Sequence, residues 1–204
     1  MKLKNRWKRL RKQFSHSSAD ELFEGHDNLF KEAVVNSKTY GEYGCGASTL
    51  WVLKNTSATV VSVESDPIWS ERVASDRAAT GRLTMQLVDI GPVQRFGRPI
   101  DYTKRENFKS YAEVLWHSGN LPDTVLIDGR FRVHCFFTSL LLAPAGTTLI
   151  FDDYAKRPHY HIVEEFVDPV ARNDRQALFV VPNQEMLDPQ AISTVRDKFE
   201  YVMD

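Results

Sequence analysis

Five carboxylates stand at the ends of five short apolar runs: Glu42 in Tyr40-Gly41-Glu42, Glu64 closing Thr59–Glu64, Asp89 after Leu83–Val88, Asp128 after Thr124–Ile127 and Asp152 after Thr147–Phe151. One acid after a strand is usually a turn or cap residue. Five in succession are hard to attribute to packing. Carboxylates gathered in a low-dielectric cleft attract a cation and accept charge-assisted hydrogen bonds from hydroxyls. The first of them precedes a glycine turn, Gly44-Cys45-Gly46-Ala47-Ser48-Thr49, where two residues without a Cβ let the backbone turn sharply and a ligand come close. Asp152 is followed by a second acid, Asp153. These two acids fit a cap for the turn before Arg157-Pro158. Arg130, Arg132 and Arg157 have the geometry to bind a phosphate or carboxylate; the alternative is pairing with Asp128, Asp152 and Asp153. His159 and His161 are candidate general bases near neutral pH, or residues of a surface helix start. Cys45 sits in the glycine turn, either as a reactive thiol or as a small side chain that fits there.

These residues have to be positioned by alternating strands and helices. The chain after Gly46 opens a helix through Leu50–Lys54. Asp66-Pro67 has the pattern of an N-cap with proline at the first helical position, ahead of Ile68, Arg72 and Val73. Phe108, Tyr111, Ala112, Leu115 and Trp116 fall at helical spacing, Val133–Leu142 is a buried helix, and Pro158 opens a helix carrying Tyr160, Val163, Phe166 and Val167. Ala177–Val181 and Thr194–Val202 read as two final strands. Strands alternating with helices mean a mostly parallel sheet covered on both faces, with one antiparallel strand inserted at an edge. Ligands of such sheets bind beyond the carboxyl ends of the strands, where the five acids lie. Gly91–Tyr102, with two glycines and two prolines, is a long loop of the kind that shapes a site.

At 204 residues the chain is expected to form one domain over 17–204, preceded by a basic amphipathic segment over 1–16. Leu3, Trp7, Leu10 and Phe14 make a helical stripe there, and seven of the 26 basic residues lie between positions 2 and 12. That segment suits either a peripheral contact with an anionic membrane or a solvated tail. The rest carries 19 basic and 27 acidic residues, which argues against a nucleic-acid groove on the body. Ser18-Ala19-Asp20-Glu21 has capping-box spacing. Two cysteines at no metal-ligand spacing fit a reducing compartment, and no apolar run is long enough to span a membrane. The expected location is cytoplasmic.

A dinucleotide fingerprint needs a small residue where Thr49 stands, which weakens a nicotinamide dehydrogenase. Glu42-x-Gly44-x-Gly46 followed by Ala47-Ser48 instead resembles the first motif of the class I S-adenosylmethionine-dependent methyltransferases, and Glu64 resembles the acid that ends their second strand. The resemblance covers about residues 38–204 and implies a Rossmann-like, doubly wound, seven-stranded α/β sheet. It implies S-adenosylmethionine contacts from Glu42, Gly44, Gly46, Ser48, Thr49, Glu64, Ser65, Asp66, Asp89, Ile90 and Asp128, with Glu64 on the ribose hydroxyls and Asp89 near the adenine. The segments Val125-Leu126-Ile127-Asp128-Gly129 and Leu149-Ile150-Phe151-Asp152-Asp153 resemble the metal-binding pair of catechol-type O-methyltransferases, where an Asp-Asn pair ends the fifth strand. That likeness implies Mg²⁺ on Asp128, Asp152 and Asp153, and Asp128, Asp152, His159 and His161 as catalytic candidates. The expected activity is methyl transfer to a small-molecule or glycan-type acceptor, such as a hydroxyl. The alternative is a non-catalytic Rossmann-like binding protein recruited to a membrane or partner by its basic N-terminus.

Overall fold

The computed structural model describes residues 21–203. The amphipathic segment 1–16 and the start of the capping box at Ser18 lie outside them. Seven strands form one sheet: β1 (Thr39–Tyr43), β2 (Thr59–Glu64), β3 (Leu83–Leu87), β4 (Thr124–Ile127), β5 (Thr148–Phe151), β6 (Ala171–Arg172) and β7 (Ala177–Val180). Their order is β3-β2-β1-β4-β5-β7-β6, with β1 to β5 parallel and β7 antiparallel to both β5 and β6. Among the described residues six α-helices accompany them: α1 (Asn28–Val34), α2 (Ala47–Asn55), α3 (Pro67–Ala74), α4 (Phe108–Glu113), α5 (Arg132–Leu142) and α6 (Pro189–Lys198).

The period-two alternation of strand side chains explains why the central strands read as unbroken apolar runs. Val61, Val63, Val125, Ile127, Leu149 and Phe151 face one core with Phe108, Phe136, Phe137 and Ile192 of α4, α5 and α6. Val60, Leu126 and Ile150 face a second core with Phe30 of α1 and Val52 and Leu53 of α2. Both faces are therefore dry. The polar groups that serve a ligand are left to the strand ends.

The expected fold class holds, with one substitution of elements. Thr194–Val202, read as a strand from its β-branched residues, is helix and turn instead. Asp188 accepts hydrogen bonds from Gln190 and Ala191 N–H at 3.0 Å, Pro189 follows it, and Ile192, Val195 and Phe199 pack at helical spacing. The seventh strand is Ala171–Arg172, two residues long and without a pattern of its own. Pro158–Glu165 is a 3₁₀ helix. Among the described residues no helix is long and apolar enough to cross a membrane, and both cysteines are free.

The turns after β1 and β4 touch backbone to backbone. A Cβ on Gly44 (φ +88°) would stand 2.8 Å from Gly129 Cα, and one on Gly129 would overlap the Tyr111 hydroxyl and stand 2.7 Å from the Tyr43 carbonyl carbon. Gly129→Ala is therefore expected to destabilise the protein by roughly 1–3 kcal/mol, the usual cost of overpacking. Denaturant unfolding measures this; an unchanged midpoint would show that the two turns can part at no cost.

Candidate functional site

The carboxyl ends of β1, β2, β4 and β5 surround a cavity of about 700 Å³, within the range of small-molecule sites. Gly44, Cys45, Gly46 and Ser48 form one wall, Glu64 and Ser65 a second, and Asp128, Arg130, Arg132, Asp153 and Arg157 a third. Trp69, Phe96 and Tyr111 add aromatic surface, and Glu21–Glu24 also line the cavity. The Gly91–Tyr102 loop reaches the site through Phe96 and through Gly97, whose carbonyl accepts from Ser65 Oγ at 3.1 Å.

Glu64 is buried at the rim of the sheet. Its Oε1 accepts from Ser65 and Asp66 N–H at 2.7 and 2.8 Å, and its Oε2 accepts from Cys45 N–H at 3.0 Å. The Cys45 side chain adds a further hydrogen bond to the carboxyl group, and Ser65 Oγ lies 3.4 Å from Oε1. Burial raises the Glu64 pKa above its ordinary value, and the three backbone N–H groups oppose that rise.

Glu42 is a correction. Side-chain alternation puts it on the face of β1 shared with Tyr40, under the first turn of α2, and it does not line the cavity. Its carboxyl group is fully buried among four hydroxyls: Tyr40 at 3.0 Å, Ser48 at 2.9 Å, Thr49, and Ser62 on the paired position of β2. Thr49 Oγ1 in turn accepts from Gly46 N–H at 2.8 Å. Glu42 and Thr49 therefore brace the glycine turn from behind instead of contacting a ligand. Asp66 caps α3 by accepting from Ile68 N–H at 2.9 Å. Asp89 is exposed on the edge-strand side, where it pairs with Lys104 at 3.1 Å and caps Gly91 N–H, while Ile90 is in the core; neither lines the cavity.

Asp128, Asp152 and Asp153 do come together, with one oxygen of each within 4.8 Å of the others. Three guanidiniums pair with these acids. Arg132 reaches Asp128 Oδ1 at 2.8 Å and Asp153 Oδ2 at 3.3 Å. Arg175 holds both oxygens of Asp152, Nε at 2.9 Å and Nη2 at 2.7 Å, and Asp153 Oδ1 at 2.9 Å. Arg157 holds Asp153 Oδ2 at 2.8 Å. The acids are neutralised by tethered cations, so they do not fit a resident Mg²⁺. Asp152 is fully buried, takes a further bond from Gln176 and does not line the cavity. Burial pushes its pKa up, but Arg175 and Arg132 outweigh that and leave it lowered. Asp128 goes the other way: burial first, then the charge of Asp152, raise it against the pull of Arg132.

The histidines are also corrected. His159 is exposed, edge-on to Tyr160; His161 stacks on Tyr154, with Nε2 3.1 Å from the Tyr154 carbonyl oxygen. Neither lines the cavity. Sequence reasoning missed Arg175 and Gln176. Because β7 is antiparallel to β5, Ala177 at its start pairs with Phe151 at the end of β5, so the residues just before β7 land beside Asp152.

The strand order, with β7 antiparallel between β5 and β6, the glycine turn after β1 and the acid closing β2 define the class I Rossmann-like methyltransferase fold. The chain's structural neighbours include proteins described as methyltransferases. It is similar to a methyltransferase-like protein from Silicibacter pomeroyi at 29% identity and TM-score 0.79, over 88% of this chain and 95% of the other. The fold is shared more loosely with cofactor-bound Rv0187 from MTB (18% identity, TM-score 0.52, 74% and 76% of the two chains). It is likewise shared with a mutant of MtNAS in complex with S-adenosylmethionine (14% identity, TM-score 0.50, 86% and 66%). No family model and no curated protein matches the sequence.

Glu42 gives a pH-dependent stability. Burial raises its pKa from 4.5 to about 7, against the four hydroxyl bonds. Between those values the folded state binds more protons than the unfolded state, so stability falls as pH rises through that window and is constant above it. All four partners are hydroxyls that can donate or accept, so Glu42→Gln keeps the network without the charge. The variant is expected to match wild type near pH 4.5 and to exceed it at pH 8 by up to about 3 kcal/mol. Unfolding at the two pH values checks this; a variant no more stable at pH 8 than at pH 4.5, relative to wild type, would sink the assignment.

Proposed function

We propose that this protein is an S-adenosylmethionine-dependent methyltransferase acting on a small-molecule or glycan-type acceptor through a hydroxyl. The observation that carries the reading is the position of Glu64. It is a buried carboxyl group at the end of β2, and it lines a cavity walled by the glycine turn of β1. The likeness to the Silicibacter pomeroyi protein along nearly the whole chain supports it, as does the S-adenosylmethionine complex of MtNAS within the shared fold. In this reading Glu64 accepts a ribose hydroxyl, and the Gly44–Gly46 turn lets the ligand approach the backbone. S-adenosylmethionine, when bound, supplies a methyl group that needs alignment more than activation.

The remaining work falls to the wall opposite Glu64. Asp128 lines the cavity, burial and the charge of Asp152 raise its pKa well above the usual carboxylate range, and from there it can exchange a proton with an acceptor hydroxyl. Arg132 holds Asp128 in place through a 2.8 Å bond to Oδ1. No metal takes part, because the arginines already balance the acids. The second reading, cofactor binding without turnover, is favoured by the displacement of both candidate histidines from the cavity. A panel of hydroxyl-bearing acceptors assayed for S-adenosylhomocysteine release separates the two.

Calorimetry tests the cofactor end. S-adenosylmethionine and S-adenosylhomocysteine are expected to bind wild type. Glu64→Ala, checked for folding by thermal unfolding, should weaken binding by roughly tenfold or more, the size of a lost charge-assisted hydrogen bond. Asp89→Ala should leave the affinity unchanged. Absence of binding at millimolar ligand would sink the reading. Methyl transfer is further expected to survive excess chelator; strict dependence on added Mg²⁺ would overturn the metal-free account.

A further inference from the structure

The arginines at the cavity are not equivalent. Arg132 is 4% exposed and its donors are spent: Nε on Gly129 O, Nη1 on Asp152 O and Asp153, Nη2 on Asp128 O and Oδ1. It is part of the scaffold, which corrects its expected place among the substrate-binding residues. Arg157 differs. Its side chain is 36% exposed, with Nη1 donating to Tyr160 Oη at 2.7 Å and Nη2 to Asp153 at 2.8 Å. A guanidinium has five N–H donors, so among the described residues Arg157 keeps donor capacity at the cavity wall. Arg175 commits Nε and Nη2 to Asp152 and Asp153, while its Nη1 reaches Glu24 Oε2 at 3.4 Å.

Glu24 is an unusual partner. It belongs to the Glu21–Glu24 strap that lines the cavity, in a turn where Phe23, Glu24 and Gly25 all have positive φ (50°, 57° and 86°). Its side chain is 83% exposed. An ion pair that open to water is worth little, so a carboxylate brought in with a ligand and partly desolvated in the cavity can replace it.

We propose that Arg157 and Nη1 of Arg175 form an anion subsite at the wall of the cavity, that it takes the carboxylate or phosphate of an acidic methyl acceptor, and that Glu24 occupies the place until the acceptor arrives. Naming the occupant as the acceptor rests on the methyltransferase reading; the anion subsite rests on the geometry alone. Guanidinium forks match the paired oxygens of both groups, so the two sources share one chemistry.

The test is an NMR titration of the arginine Nε–H resonances with benzoate, phenyl phosphate and neutral benzamide, on full-length protein without cofactor. Saturable shifts at Arg157 and Arg175 with the anions, and none with benzamide, are expected; the tighter of the two anions names the group. Arg157→Lys, which keeps the charge and loses the fork, should weaken the anion by roughly tenfold. Glu24→Gln should tighten it several-fold. Equal responses to benzamide and benzoate, or shifts that never saturate, would overturn the subsite, and an unchanged affinity in Glu24→Gln would overturn the role of the strap. Calorimetry of S-adenosylhomocysteine on the same wild-type sample keeps the two readings apart. Anion binding without cofactor binding removes the methyltransferase reading and leaves the subsite; cofactor binding without anion binding removes the subsite alone.

Discussion

The contact between Gly44 and Gly129 is the constraint on which the rest of the site depends. Parallel neighbouring strands release their chains on the same side of the sheet, and here the turns after β1 and β4 leave no room for a side chain between them. That closeness makes one cavity of two half-sites. The glycine turn and Glu64 lie to one side of it, and Asp128, Arg132 and the β5 acids lie to the other. Tyr111 closes the joint, with its hydroxyl 3.3 Å from Arg130 N–H, while Phe131 is held buried in a left-handed conformation at the start of α5. Such backbone strain persists where surrounding contacts over-determine it, as packing on Phe108 and Tyr111 does here.

Two buried glutamates on the same face of the sheet are used in opposite ways. Glu42 lies one strand-residue inside the sheet end, so its carboxyl group meets the first turn of α2 and is consumed by four hydroxyls. Glu64 closes its strand, so it meets backbone N–H groups of two turns and still faces the cavity. The chemistry of the side chain is the same. Position along the strand relative to the covering helix decides whether it serves the scaffold or the ligand.

This is also why part of the site was legible in the sequence and part was not. Apolar runs ending in acids mark strand ends whatever the tertiary structure, so the sheet, the cavity's location and the gathering of Asp128, Asp152 and Asp153 could all be read. Which way an acid points could not, because Glu42, Glu64 and Asp89 have the same sequence signature and differ only in what packs over them. Asp89 ends the edge strand and drifts to the surface. Arg175 had no local signal at all: it precedes a strand instead of following one, and only the antiparallel insertion of β7 carries it to the active face. Thr194–Val202 differs from its expected strand because the helix that Asp188-Pro189 starts runs on to Lys198.

The three aspartates show how a constellation that suits a divalent ion can be balanced otherwise. A metal and a guanidinium both neutralise carboxylates, but they leave different chemistry behind. A metal presents open coordination positions and acidifies what binds there, whereas an arginine presents fixed N–H donors and cannot give up its charge. Arg132 and Arg175 are tied by covalent chain to elements that also build the core, so they act as permanent counter-ions. They compensate the three carboxyl groups unequally. Asp128 is the least compensated: it has one guanidinium partner among the described residues, Asp152 close by, and a position on the cavity wall. In the proposed reading this makes Asp128 the group that handles the acceptor's proton, and it leaves the outer face of the arginine cluster to the proposed anion.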